Sequence, residues 1–136
     1  CIDDDKCTRL QYKGLVRKLE LDPEKCLVLG ETFDEVQRAP EIVMQYANRY
    51  NNVIVITDQN FDEYEPGQEA LGTDILEDLT AKGFSGLMFV RSGNDSVDDI
   101  QFYRQKGACD VLSKESKVGD LAVSVLLKYN EAMVDN

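Results

Sequence analysis

Short apolar runs alternate along this chain with stretches where apolar residues recur every third or fourth position. Cys26-Leu27-Val28-Leu29 is one run, closed by Gly30. Val53-Ile54-Val55-Ile56 leads into Thr57-Asp58, and Leu87-Met88-Phe89-Val90 leads into Arg91-Ser92-Gly93. Val111-Leu112 centres a fourth run, before Ser113-Lys114. Uninterrupted apolar runs suit strands covered on both faces of a parallel sheet. Between them lie helical stripes: Tyr12, Leu15, Val16 and Leu19; then Ile42, Val43, Tyr46, Ala47 and Tyr50 after Pro40. Ile75, Leu76 and Leu79 form a third stripe and Val97, Ile100 and Tyr103 a fourth. Val118, Leu121, Ala122, Val125, Leu126 and Tyr129 form the longest. These stripes predict core-facing helices, and their alternation with strands predicts an α/β fold with right-handed crossovers.

One stretch breaks the rhythm. Gln59 to Ala70 reads as a long loop with Pro66-Gly67 as its turn signal. The beginning is also unusual. Cys1-Ile2 is followed at once by Asp3-Asp4-Asp5 and then a helical stripe. A first strand would end at those acids, so it reads as truncated, and the chain as a fragment of a longer protein.

With 136 residues, the chain is the length of one domain. Its formal charge is −11, from 26 acidic and 15 basic residues, and it has no histidine. A phosphate-binding face needs excess positive charge, so nucleic acid is excluded as a partner, and an anionic membrane surface would repel the chain. The missing histidine removes Ser-His-Asp and Cys-His catalysis, His-ligated zinc and a phosphohistidine within this chain. No apolar run approaches the roughly 20 residues that span a bilayer, and no secretory leader is visible. Cys1, Cys7, Cys26 and Cys109 form no C-x-x-C pair and are expected to be reduced thiols of a cytoplasmic protein.

The charge is concentrated. Residues 50–81 hold eight acids and no Lys or Arg. Most of them suit a solvated loop and helix face, but Asp58 closes a predicted buried strand.

In an open α/β sheet, functional groups gather at the carboxyl ends of the strands. Those ends carry Asp3-Asp4, Asp58, Ser92 and Lys114. Three carboxylates brought that close repel one another unless a cation sits among them, and all-oxygen ligands suit a hard cation, Mg²⁺ above all. Asp5 is expected to cap the first helix.

Four segments carry a resemblance. Ile2-Asp3-Asp4-Asp5, Val53 to Asn60, Phe89 to Gly93 and Gly107 to Lys114, in this order, resemble the response-regulator receiver domain of the CheY-like superfamily over nearly the whole chain. The resemblance implies one receiver domain over residues 1–136. It also implies a flavodoxin-like, doubly wound, five-stranded parallel sheet in the order 2-1-3-4-5, with five helices. It implies that Asp58 is the phosphoacceptor and that Asp3 and Asp4 hold Mg²⁺, with Asp58 and the Asn60 backbone carbonyl as further ligands. Ser92 matches the hydroxyl that bonds the phosphoryl group, and Lys114 the lysine that pairs with carboxylate and phosphate. The implied partner is a histidine kinase or a histidine phosphotransfer protein. No independent enzyme activity is implied beyond self-phosphorylation and autodephosphorylation.

The sequence departs from the family in three places. Phe61-Asp62 stands where a proline often follows the phosphoacceptor, and Glu115 stands where a proline often follows the lysine. Val111 occupies the position of the aromatic switch residue, for which Tyr103 or Phe102 would have to substitute. The loop acids Asp62, Glu63, Glu65 and Glu69 are expected to overhang the site and to bias partner choice. Val123 and Leu127 are expected to offer a dimerisation or docking surface on the last helix.

Two other functions compete. A pseudo-receiver would bind a partner without phosphorylation, in keeping with the departures. A haloacid-dehalogenase-like phosphatase would use Asp3-x-Asp5, Ser92 and Asp98-Asp99.

Overall fold

The computed structural model describes residues 1–134. Its regular strands are β1 (Ile54–Asp58), β2 (Asn60–Phe61), β3 (Ala70–Leu71), β4 (Leu87–Ser92) and β5 (Asp110–Ser113). Its α-helices are α1 (Lys6–Lys18), α2 (Phe33–Gln37), α3 (Ala39–Arg49), α4 (Gly72–Ala81), α5 (Val97–Gln105) and α6 (Val118–Val134).

The β-branched residues of β1 lie beside β4, and β4 beside β5, all parallel. On the other side of β1, Ile2 bridges in parallel to Thr57 and also to Leu29. The backbone bonds Ile2 N–H to Ile56 O (2.8 Å), Asp58 N–H to Ile2 O (2.9 Å) and Asp3 N–H to Leu29 O (3.0 Å) continue the ladder. The predicted flavodoxin-like order is therefore present, with its two N-terminal strands reduced to single bridged positions.

Side chains alternate across β4 as the pleat requires. Met88 and Val90 join a core with Val43 of α3, Leu76 and Leu79 of α4, and Tyr103 of α5. Phe89 joins the opposite core with Leu112, Leu121 and Val125. Coverage on both faces explains why β4 reads as a continuous apolar run.

Caps set the helix starts. Asp5 accepts from the Thr8 amide (2.9 Å) and hydroxyl (2.7 Å), as expected of an α1 cap. Thr32 accepts from the Glu35 amide (3.1 Å), while Glu35 reaches back to the Gly30 amide (2.6 Å). Ser96 caps α5 through the Asp99 amide at 3.2 Å.

The sequence predicts five helices; six are present among the described residues. Pro40 has no N–H to offer the Val36 carbonyl, so the helical path breaks at Arg38 into α2 and α3. The predicted loop from Gln59 to Ala70 is closed at its base by an antiparallel ladder pairing Asn60 with Leu71 and Phe61 with Ala70. Phe61 is fully buried, which anchors that ladder to the core. Three stripe residues face outward instead. Leu19 is exposed just past the end of α1. Val97 is exposed at the first turn of α5, and Leu126 is exposed one position beyond Val125, about 100° around the helix.

Candidate functional site

Asp3, Asp4, Asp58, Asn60 and Lys114 line one pocket of about 400 Å³ at the carboxyl edge of the sheet. Three backbone features bring them together. Asp58 ends β1, Lys114 follows β5, and the bridged Ile2 delivers Asp3 and Asp4 beside β1. Arg9 fixes the last of these, donating to the Asp3 carbonyl (3.0 Å) and the Gly30 carbonyl (3.2 Å). Gly30 is required there: its φ is +118°, and a Cβ would lie 2.0 Å from the Asp3 carbonyl oxygen.

Asp3, Asp4 and Asp58 are buried, and each offers a carboxylate oxygen within 4.8 Å of the others. One oxygen of each is committed to protein donors. Asp3 Oδ1 accepts from the Asp5 amide (2.9 Å), and Asp4 Oδ2 from the Asp62 (2.9 Å) and Glu63 (3.1 Å) amides. Asp58 Oδ1 accepts from the Gln59 amide and from Lys114 Nζ, both at 2.8 Å. The second oxygen of each carboxylate has no hydrogen-bond partner among the described residues. Three buried carboxylates this close, each with an oxygen to spare, form a donor set that fits a hard divalent cation.

The electrostatics agree with that donor set. Burial, then the Asp58 and Asp4 charges, push Asp3 up from 3.8 to about 6 despite the Asp5 amide. Burial also raises Asp58, against the opposing pull of Lys114. Burial opposes the charge on Lys114, but its bond to Asp58 and the Asp3 and Asp4 charges outweigh that, and its pKa rises.

The end of β1 is tied to α4. The Gly72 amide donates to the Gln59 carbonyl (2.8 Å), and the buried Gln59 side chain exchanges bonds with the Thr73 hydroxyl (3.2 Å) and amide (3.0 Å). A Cβ on Gly72 would lie 2.0 Å from the Asp58 carbonyl oxygen.

Ser92 is not among the residues lining the pocket. Its buried hydroxyl accepts from the Asn94 amide (3.0 Å) and shares a hydrogen bond with the Tyr103 hydroxyl (3.0 Å). Of the two aromatic candidates, the structure thus puts Tyr103 on Ser92, whereas Phe102 sits at the surface, 41% exposed. Val111 is half-buried against the core.

The acidic loop meets the site through its backbone. Beyond the two amides on Asp4, the Tyr64 hydroxyl bonds the Gly30 carbonyl, and its ring tilts against Phe33 with centroids 5.7 Å apart. Asp62 and Glu63 line the pocket, whereas Glu65 and Glu69 do not. Asp98 and Asp99 do not line it either; Asp99 accepts from the Ser96 hydroxyl at 2.6 Å. With Asp5 engaged as a helix cap, the phosphatase constellation is not assembled.

Two pocket residues, Thr8 and Arg91, have no reading from sequence. Arg91 is buried and lines the pocket on the side of Lys114. A charged residue after an apolar run looks like a strand end, and nothing in its spacing marks a buried guanidinium.

On α6, Val123 (58% exposed) and Leu127 (60%) face outward, as predicted, now joined by Leu126.

Comparison by sequence with protein-family models and with curated proteins gives no match. Comparison of the structure does. The Francisella response regulator 1452 receiver domain superimposes with a TM-score of 0.70 at 20% identity, over 96% of this chain and 94% of that one. A CheY-like receiver domain protein from Methanospirillum hungatei gives 0.71 at 18% identity, over 99% and 94%. The beryllofluoride-activated receiver domain of Klebsiella pneumoniae RstA gives 0.67 at 20% identity, over 94% of each chain. The fold is that of a response-regulator receiver domain. Within the receiver fold, the pocket lies at the carboxyl edge of the sheet, where ligands bind in open α/β proteins. No described helix is long and apolar enough to cross a membrane.

Proposed function

We propose that this chain is a phosphoacceptor receiver domain of a two-component phosphorelay. The observation that carries the reading is Lys114 Nζ at 2.8 Å from Asp58, beside two further buried carboxylates. Asp58 attacks the phosphorus of a partner's phosphohistidine through its unbonded oxygen. The P–N bond breaks, the histidine leaves with the electron pair, and an aspartyl phosphate forms. Mg²⁺ held by Asp3, Asp4, Asp58 and the Asn60 carbonyl would neutralise charge on the phosphoryl oxygens. Lys114 offsets the charge that remains, and Ser92, once released from Tyr103, donates to a phosphoryl oxygen.

The partner is a histidine kinase or a histidine phosphotransfer protein in the cytoplasm. The Asp62–Glu63 rim favours one with a basic docking face. The apolar face of α6 is the proposed surface for a second copy or an output partner.

The test is incubation with Mg²⁺ and acetyl phosphate, followed by intact mass, with beryllofluoride titration in parallel. A phosphoryl mass shift that disappears in Asp58→Asn is the expected result. A second reading, the phosphorylation-independent pseudo-receiver, draws on Ser92 being turned to Tyr103 and away from the pocket. It predicts no mass shift at saturating donor.

A further inference from the structure

We propose that Arg91 is a positioning residue that holds Lys114 against Asp58; this deepens the phosphoacceptor reading and rests on it. Arg91 sits on β4 between the two residues in question. Its backbone is in register with Asp58 of β1 on one side and with Leu112 of β5 on the other. Its side chain emerges on the face of β4 that carries Phe89, next to the loop joining β5 to α6.

That loop has few other anchors. The Lys114 amide donates to the Ser92 carbonyl at 3.3 Å, and the Glu115 and Ser116 amides turn back on Ser113 at 3.1 and 3.3 Å. The carbonyls of Lys114 and Ser116 are held by one group, the Arg91 guanidinium, whose Nη2 reaches them at 3.4 and 3.2 Å. Arg91 is only 7% exposed, and its Nε has no partner among the described residues. The Lys114 side chain is 43% exposed, so packing alone does not place its ammonium. A planar guanidinium that bridges two carbonyls fixes the loop backbone from which Lys114 reaches into the pocket.

Burial of the guanidinium also needs a reason. A buried cation is costly unless anions face it. Asp3, Asp4 and Asp58 line the same pocket as Arg91. Lys114 alone pairs directly with a pocket carboxylate, and Arg91, on the same pocket, holds the loop that carries Lys114.

The experiment is a double-mutant cycle on the rate of phosphorylation by acetyl phosphate in the presence of Mg²⁺, using Arg91→Met, Lys114→Ala and the pair. In that reaction Asp58 takes the phosphoryl group and acetate departs with the electron pair. Arg91→Met is expected to slow the reaction roughly tenfold in the native background and to have almost no effect once Lys114 is gone, the signature of coupled residues. Arg91→Lys, which keeps the buried charge with fewer donors, is expected to recover part of the rate and stands in should Arg91→Met not fold. Equal slowing in both backgrounds overturns the proposal, because a purely structural role acts without Lys114. Hydrogen exchange of the unphosphorylated protein separates the two readings. Amides 114–116 are expected to exchange faster in the Arg91 variants, and unchanged exchange overturns the anchoring. Absence of phosphorylation in the native chain overturns the phosphoacceptor reading while leaving the exchange result to decide the anchoring.

Discussion

The Ser92 hydroxyl lies 3.0 Å from the Tyr103 hydroxyl, and both residues are buried. The contact joins the end of β4 to the second turn of α5, so any movement of Ser92 toward the pocket must break it. Tyr103→Phe removes the bond while keeping the ring. Stability is expected to fall by about 0.5–1.5 kcal/mol, the net value of such a bond. Beryllofluoride is expected to bind more tightly, because Ser92 no longer has to be pulled away. Urea unfolding and a beryllofluoride titration check the two halves. Weaker beryllofluoride binding would mean that the pair supports the active state instead.

Asp3 sets a pH dependence whose sign is unusual for an aspartate. Its carboxyl holds a proton up to about pH 6 in the fold, against 3.8 in the unfolded chain. Ionising it therefore costs stability above about pH 6, and the cost is relieved as pH falls from there toward 3.8. Metal-free protein is expected to gain stability from this group over that window. Mg²⁺ needs the ionised carboxylates, so its affinity is expected to fall over the same window. Urea midpoints with chelator and with excess Mg²⁺ measure both effects. Asp3→Asn is expected to flatten the metal-free curve and weaken Mg²⁺ binding.

Two glycines are predicted to respond in opposite ways to alanine. At Gly72 the new Cβ would meet the Asp58 carbonyl oxygen at 2.0 Å. Gly72→Ala is expected to cost about 1–3 kcal/mol and to slow phosphorylation by displacing the end of β1. Gly14, inside α1, has nothing within 4 Å of its Cβ position. Gly14→Ala is expected to add about 0.5–1 kcal/mol with the phosphorylation rate unchanged. Thermal unfolding and the acetyl phosphate assay compare the pair.

The rim of the pocket is predicted to act on donors through charge. Asp62 and Glu63 hold Asp4 by their amides, so Asp62→Asn with Glu63→Gln keeps those bonds and removes two negative charges. Phosphorylation by acetyl phosphate, an anion, is expected to speed up, and the gain is expected to shrink as salt is added. A gain that persists at high salt would point to geometry instead of charge.

The sequence announces strands that are covered on both faces, because burial leaves no polar interruption in Leu87–Val90 or Val53–Ile56. The pocket carboxylates and Lys114 were legible for a related reason: strand ends in such a sheet converge on one edge. The split between α2 and α3 was not, since five residues of α2 carry too little periodicity to register. The β2–β3 ladder pairs two residues with two and leaves no alternating pattern. Arg91 was missed because a buried cation shows itself only through what surrounds it in space.

The acidic loop is pinned near its start by the Asp4 contacts and Tyr64, and at its base by the β2–β3 ladder. Between those points, Glu65 to Gln68 closes on itself through the Gln68 amide on the Glu65 carbonyl at 2.9 Å. None of the residues of that short turn lines the pocket that holds Asp58. A tag, a fluorophore or an inserted module placed there is expected to leave the pocket undisturbed.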